Sequence, residues 1–148
     1  MRKPMNKDRL GIRFNVNQAA NASASNIPNN ESILLVNWLR IHSYSLGTNR
    51  YYGLRFSRTT GGNNYISLNS SDGILLRALT IAVGPGTQII APNIPFSLNK
   101  DMCIATLINR DDGKSKVFVD GILIADEVTT SDPDLSTDNA LYYHINAA

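Results

Sequence analysis

From Ser32 onward the chain is a succession of short runs rich in Ile, Leu, Val, Tyr and Phe, broken at intervals of roughly eight to twelve residues by Gly, Pro, Asn and Asp. The runs are Ile33 to Ile41, Tyr51 to Ser57, Tyr65 to Leu68, Ile74 to Val83, Thr87 to Ile90, Met102 to Asn109, Lys116 to Ala125 and Leu141 to Ile145. Turn chemistry separates them at Gly61-Gly62-Asn63-Asn64, Gly84-Pro85-Gly86 and Asp111-Asp112-Gly113. No run is long enough, or has the 3.6-residue period, to bury one face of a helix. This rhythm predicts an all-β chain: an antiparallel β-sandwich of the jelly-roll kind. At 148 residues it has room for one such domain.

The sharpest local signal is Lys116-Val117-Phe118-Val119-Asp120-Gly121-Ile122-Leu123-Ile124. Two alternating strands flank Asp-Gly, a pair suited to a two-residue type I′ turn because both positions need positive φ. The turn sets Val119 opposite Ile122, Val117 opposite Ile124 and Phe118 opposite Leu123. With both faces apolar, the hairpin is expected inside the sandwich and away from its edge.

Before Ser32 the composition differs. Arg2, Lys3, Lys7, Arg9 and Arg13 crowd the start, whereas nothing basic follows Lys116 and the C-terminal part carries Asp120, Asp126, Glu127, Asp132, Asp134 and Asp138. The net charge of +2 conceals this polarity, which suits attraction to an acidic partner or between copies. Gly11 to Val16 alternates like a short strand or extended arm. Asn17 to Asn30, dominated by Asn, Ala and Ser, has too little apolar surface to pack and reads as a linker. The expected organisation is therefore a basic arm and linker over 1–31 and a jelly roll over 32–148.

The segment Met102 to Ala125, with Asp112-Gly113 at one turn and Phe118-Val119-Asp120-Gly121 at the next, resembles the signature meander of laminin G-like, concanavalin A-like jelly rolls. Ile33 to Arg40, with Trp38 near its end, is similar to an earlier strand of that family, and Tyr51 to Phe56 to the strand after it. The resemblance spans residues 32 to 126 and implies a concanavalin A-like sandwich. It departs from the family at Met102-Cys103, where Trp-His is usual.

Catalytic signatures are weak. Retaining glycosidases need two carboxyl groups about 5–5.5 Å apart. The chain has two glutamates, Glu31 and Glu127, and Asp126 and Glu127 would point to opposite faces of a strand. His42 and His144, the only histidines, sit in no nucleophile constellation. Cys103, the sole cysteine, lies in an apolar run and reads as a small buried hydrophobe. Asp111-Asp112-Gly113 and Asp132-Pro133-Asp134 offer hard oxygens, but turn chemistry accounts for both, so neither a metal nor a cofactor is expected. The chain is read as a non-enzyme.

Sugar binding asks less: an aromatic plate and a few amide or guanidinium donors. Trp38, Arg40, Tyr51, Tyr52, Asn63 and Asn64 are the candidates, although apolar Ile33-Leu34-Leu35-Val36 ahead of Trp38 makes core packing its first expected use. The function expected first is structural. A jelly roll with a basic arm and no catalytic group is similar to bacteriophage decoration or fibre modules, an analogy at the level of fold. This implies a location on a virion or particle surface, with synthesis in the cytoplasm and no secretion signal. Expected partners are another protein or further copies of the chain, as a homo-oligomer or larger assembly, and neither membrane nor nucleic acid. A carbohydrate-binding, lectin-like domain is the alternative.

Overall fold

A computed structural model describes residues 18–23, 28, 30–42, 50–58, 64–70, 75–132, 134, 136 and 139–147. Within it, 18–23, 50–58, 64–67, 69–70 and 139–147 are described by their backbone alone. Every element is a strand: β1 (Gln18–Ser23), β2 (Ile33–Arg40), β3 (Arg50–Arg58), β4 (Asn64–Ser70), β5 (Leu75–Val83), β6 (Gly86–Pro95), β7 (Asp101–Asn109), β8 (Lys114–Val119), β9 (Ile122–Val128) and β10 (Asn139–Ala147). They form a six-stranded sheet in the order β1-β10-β3-β4-β5-β6 and a four-stranded sheet in the order β2-β7-β8-β9. All pairings are antiparallel.

The sandwich closes on side chains that alternate inward from each strand. In β2 the alternation is strict: Ile33, Leu35, Asn37 and Leu39 are buried and the residues between them exposed. Ile104 and Ile108 from β7 and Val117 from β8 meet Leu76, Leu79 and Ile81 from β5 and Ile90 and Ile94 from β6 in one core. A bulge in β5 where it pairs with β4 shifts its alternation, with Leu79 at a φ of 55°, so Ala78 through Ala82 are all buried.

Three sequence expectations change here. The expected linker contains β1, which pairs with β10 along its whole length, so Gln18–Ser23 belong to the sandwich. β1 is an outer strand of its sheet, and its backbone groups pair with β10 on one side. β6 runs past Ile90 through Pro92 and Pro95, tolerated because β6 is also an edge and the missing N–H groups break no ladder on that side. The arm strand expected at Gly11 to Val16 lies outside the described residues.

The third change concerns the hairpin. Asp120 (φ 50°) and Gly121 (φ 84°) form the tight turn, and Val119 faces Ile122 and Phe118 faces Leu123 as the Asp-Gly signal dictates. Val117, however, faces Ala125, because a bulge inserts Ile124 as an extra residue. β9 is an edge strand, with Ile122, Leu123 and Ile124 exposed. Apolar residues on both faces did not mean enclosure: among the described residues no further strand pairs with that edge.

The turn itself is tested by Gly121→Val. A Cβ added at Gly121 meets nothing within 4 Å, so only the left-handed backbone opposes the change. Chemical denaturation is expected to show a loss of about 1–2 kcal/mol, since a β-branched residue resists positive φ.

Candidate functional site

β2 is one edge of the four-stranded sheet, and its outward residues Leu34, Val36, Trp38 and Arg40 are open to solvent. Trp38 is 72% exposed. This reverses the expectation that it serves the core: the odd-numbered residues of β2 fill the interior, and no element covers the even-numbered face among the described residues. Trp38 and Arg40 share that face, with their Cβ atoms about 7 Å apart by strand geometry.

The pairing of β2 with β7 brings polar groups to the Trp38 end. Arg40 lies opposite Asp101, and its Nε and Nη2 donate to Asp101 Oδ1 and Oδ2 at 2.8 and 2.7 Å, a two-point fork. Just beyond the strand, His42 Nδ1 lies 2.8 Å from Asn99 Oδ1. Asn99 is held at a φ of 62°, and its N–H donates to the Ile41 carbonyl. Asn is among the few residues that adopt this conformation readily, and here it turns the β6–β7 connection back onto the end of β2.

On the other side of Trp38, Cys103 of β7 is its direct neighbour in register. Cys103 is half-buried on the outer face, not enclosed in the core as its apolar run suggested. Asp120 accepts a hydrogen bond from the Cys103 N–H through Oδ1 at 2.8 Å and donates its own N–H to the Cys103 carbonyl at 2.8 Å. The hairpin tip is thereby fastened to β7 beside the indole. The result is an exposed aromatic residue with the Arg40–Asp101 fork two positions along the same face, the His42–Asn99 pair beyond it, and the Asp120–Cys103 link across on β7.

The other sequence candidates do not join this cluster. Tyr51 and Tyr52 lie in β3 and Asn64 at the start of β4, all in the six-stranded sheet, and Asn63 lies outside the described residues. Because β2 faces β3 across the sandwich through its buried residues, its outward face points away from those strands. Asp101, Asn99, His42 and Asp120 were not singled out by sequence as partners of Trp38. The pairing of Arg40 with Asp101 across 61 positions is fixed only by the β2–β7 register.

The acidic turns serve local structure. Asp112 Oδ1 accepts from the Lys114 N–H, and Asp134 Oδ1 accepts from the N–H and hydroxyl of Ser136. Among the described residues no cluster of His, Cys, Asp and Glu is placed to hold a metal ion. A hollow at the opposite end of the sheet is lined by Ile108, Asn109, Arg110, Gly113, Thr129 and Asp132, where the guanidinium is already engaged by its own chain.

Comparison with solved structures decides the fold. The chain superimposes on the CBM40 domain of the Ruminococcus gnavus IT-sialidase, solved with α2,3-sialyllactose bound, at a TM-score of 0.56, covering 84% of this chain and 77% of that one at 13% identity. The fold is an antiparallel jelly-roll β-sandwich. This jelly roll also matches the Caenorhabditis elegans galectin LEC-6 at a TM-score of 0.50, over 93% of this chain and 99% of that one at 20% identity. The botulinum neurotoxin serotype G binding domain matches at 0.54 and 14% identity, over 80% of this chain and 32% of that longer one. No protein-family model matches the sequence, and no curated protein matches it significantly.

Proposed function

We propose that this jelly roll is a non-catalytic carbohydrate-binding domain whose site is the outer face of β2 around Trp38. The observation that carries the reading is the exposed indole with Arg40, in its fork with Asp101, next on the same face of β2, and the His42–Asn99 pair beyond them at that end of the strand. An indole face packs against the C–H face of a sugar ring, while charged and amide groups at its rim exchange hydrogen bonds with hydroxyls. The Arg40–Asp101 fork presets both side chains, so less rotamer freedom is lost on binding. Two fold neighbours support the class of ligand: a CBM40 domain solved with a sialylated sugar, and a galectin. Particle attachment through the basic arm rests on residues outside those described, and no described feature favours it over glycan binding.

A glycan array probed with the full chain and with Trp38→Ala tests the proposal. Binding by the parent that is lost in the variant is expected; equal signals from the two would remove Trp38 from the site.

The domain is further expected to lack hydrolase activity on β-glucans, alginates and galactans. Near Trp38 the carboxylate of Asp101 is engaged by Arg40 and that of Asp120 by a backbone N–H, so no pair is poised across a bond. Reducing-end assays should show no turnover, and a turnover abolished by Glu127→Gln would show the opposite.

A further inference from the structure

We propose that Asp101 sets the sugar preference of the Trp38 face: by engaging the Arg40 guanidinium at two points, it reserves the site for uncharged glycans and turns away sugars that carry a carboxylate. The inference rests on the glycan reading and adds to it the class of sugar.

Arg40 is the only cation on the outer face of β2, where the other outward residues are Leu34, Val36 and Trp38. Their neighbours in register on β7, Cys103, Ala105 and Leu107, carry no cation either. An acidic sugar stacked on Trp38 would therefore look to Arg40, whose Cβ lies about 7 Å along the strand. A guanidinium holds a carboxylate best through two parallel N–H bonds. That arrangement is already made within the chain, because Nε and Nη2 donate to Asp101 Oδ1 and Oδ2 at 2.8 and 2.7 Å.

The pairing of β2 with β7 holds Asp101 opposite Arg40, so its carboxylate competes for the guanidinium as an intramolecular partner, at an effective concentration above that of a dilute sugar. A sugar carboxylate has to displace Asp101 and then sit beside the charge it displaced. Asp120, joined through Oδ1 to the N–H of Cys103 opposite Trp38, places a second negative charge across the indole. Lys100, in the β6–β7 connection, balances it. Arg40 and Lys100 against Asp101 and Asp120 leave this end of the sheet with no excess of positive charge to draw in an anion. Neutral sugars meet no such barrier. A hydroxyl donates to a carboxylate oxygen alongside the guanidinium, since each such oxygen accepts more than one hydrogen bond, and the fork stays closed.

Trp38 is the chain's only tryptophan, so its fluorescence reports directly on a sugar arriving at this face. The experiment uses a glycan array holding each glycan in a neutral form and in a form ending in sialic or uronic acid. Fluorescence titration with the best-bound pair follows, at about pH 8, where an ordinary imidazole carries no charge. The neutral member is expected to bind about tenfold or more tighter than its acidic partner. Asp101→Asn keeps the shape of the side chain but gives up its charge and one of the two acceptors, and should move the ratio of acidic to neutral affinity about tenfold towards the acid. Adding Arg40→Gln should cancel that shift, which ties it to the guanidinium. The ranking by the parent decides without any variant. A parent that binds the acidic members as well as the neutral ones, a ratio unmoved by Asp101→Asn, or a shift that survives Arg40→Gln would overturn this inference and leave the glycan reading standing. A parent that binds no glycan in either form would remove both.

Discussion

Trp38→Ala is expected to lower glycan affinity by about 10- to 100-fold, equivalent to roughly 1.4–2.7 kcal/mol, while leaving the unfolding midpoint within experimental scatter. Both halves of this result matter. A tryptophan that filled the core would cost about 3–5 kcal/mol of stability on truncation. Trp38 is 72% exposed on the outer face of an edge strand, so the folded state loses little when the ring is removed. What is lost is the flat surface against which a sugar ring rests. Arg40→Ala should weaken binding less, because the guanidinium shares its donors with Asp101, both are substantially solvated, and exposed pairs contribute only ~0.2–1 kcal/mol. Titration calorimetry with the best array ligand, beside thermal melts of the same samples, checks both. A large stability loss without an affinity change would return Trp38 to a structural role.

The sandwich was legible because strand formation leaves a local imprint. Asp120-Gly121 specified its own turn, and the meander from Met102 to Ala125 could be placed on β7, β8 and β9 from turn chemistry alone. What the sequence did not carry was which strands end a sheet. Ile33-Leu34-Leu35-Val36 and Ile122-Leu123-Ile124 look alike as apolar runs, and each was assigned an interior place. In β2 only alternate residues are buried, and in β9 almost none are. That outcome depends on the order of strands, which is a property of long-range pairing. β1 was invisible for the opposite reason, since Gln18-Ala19-Ala20-Asn21-Ala22-Ser23 has no apolar alternation and takes its place from backbone pairing with β10. The candidate site followed the same division: its aromatic residue could be read, but the groups around it come from a register that no local pattern encodes.

Arg110→Ala is expected to destabilise the domain by about 2–4 kcal/mol, through contacts that no motif announced. Arg110 follows β7, and its side chain is only 7% exposed. Nε and Nη2 engage the Asp132 carboxylate at 3.0 and 2.8 Å, while Nη1 donates to the Pro28 and Glu31 carbonyls at 2.9 and 3.1 Å. One guanidinium thus ties together the approach to β2, the β7–β8 turn and the stretch after β9. Ser32 Oγ adds to the same knot by accepting the Arg110 N–H and donating to Asn109 Oδ1. Truncation leaves the Glu31 carbonyl and the Asp132 carboxylate without the guanidinium, while the Pro28 carbonyl keeps the Glu31 N–H at 3.0 Å and Asp132, at 45% exposure, recovers part of its loss from water. Arg110→Lys keeps the charge but cannot span a carboxylate and two carbonyls with one ammonium, so about half the loss should remain. For a domain of this length each kcal/mol corresponds to roughly 2–4 °C in melting temperature, which places Arg110→Ala about 4–16 °C below the parent. Ile33 pairs with Ile108 beside Arg110, and Trp38 lies five residues further along β2, some 17 Å away. Glycan affinity measured well below the melting transition should therefore be unchanged, and an Arg110→Ala protein that melts with the parent would show that the knot is incidental to the fold.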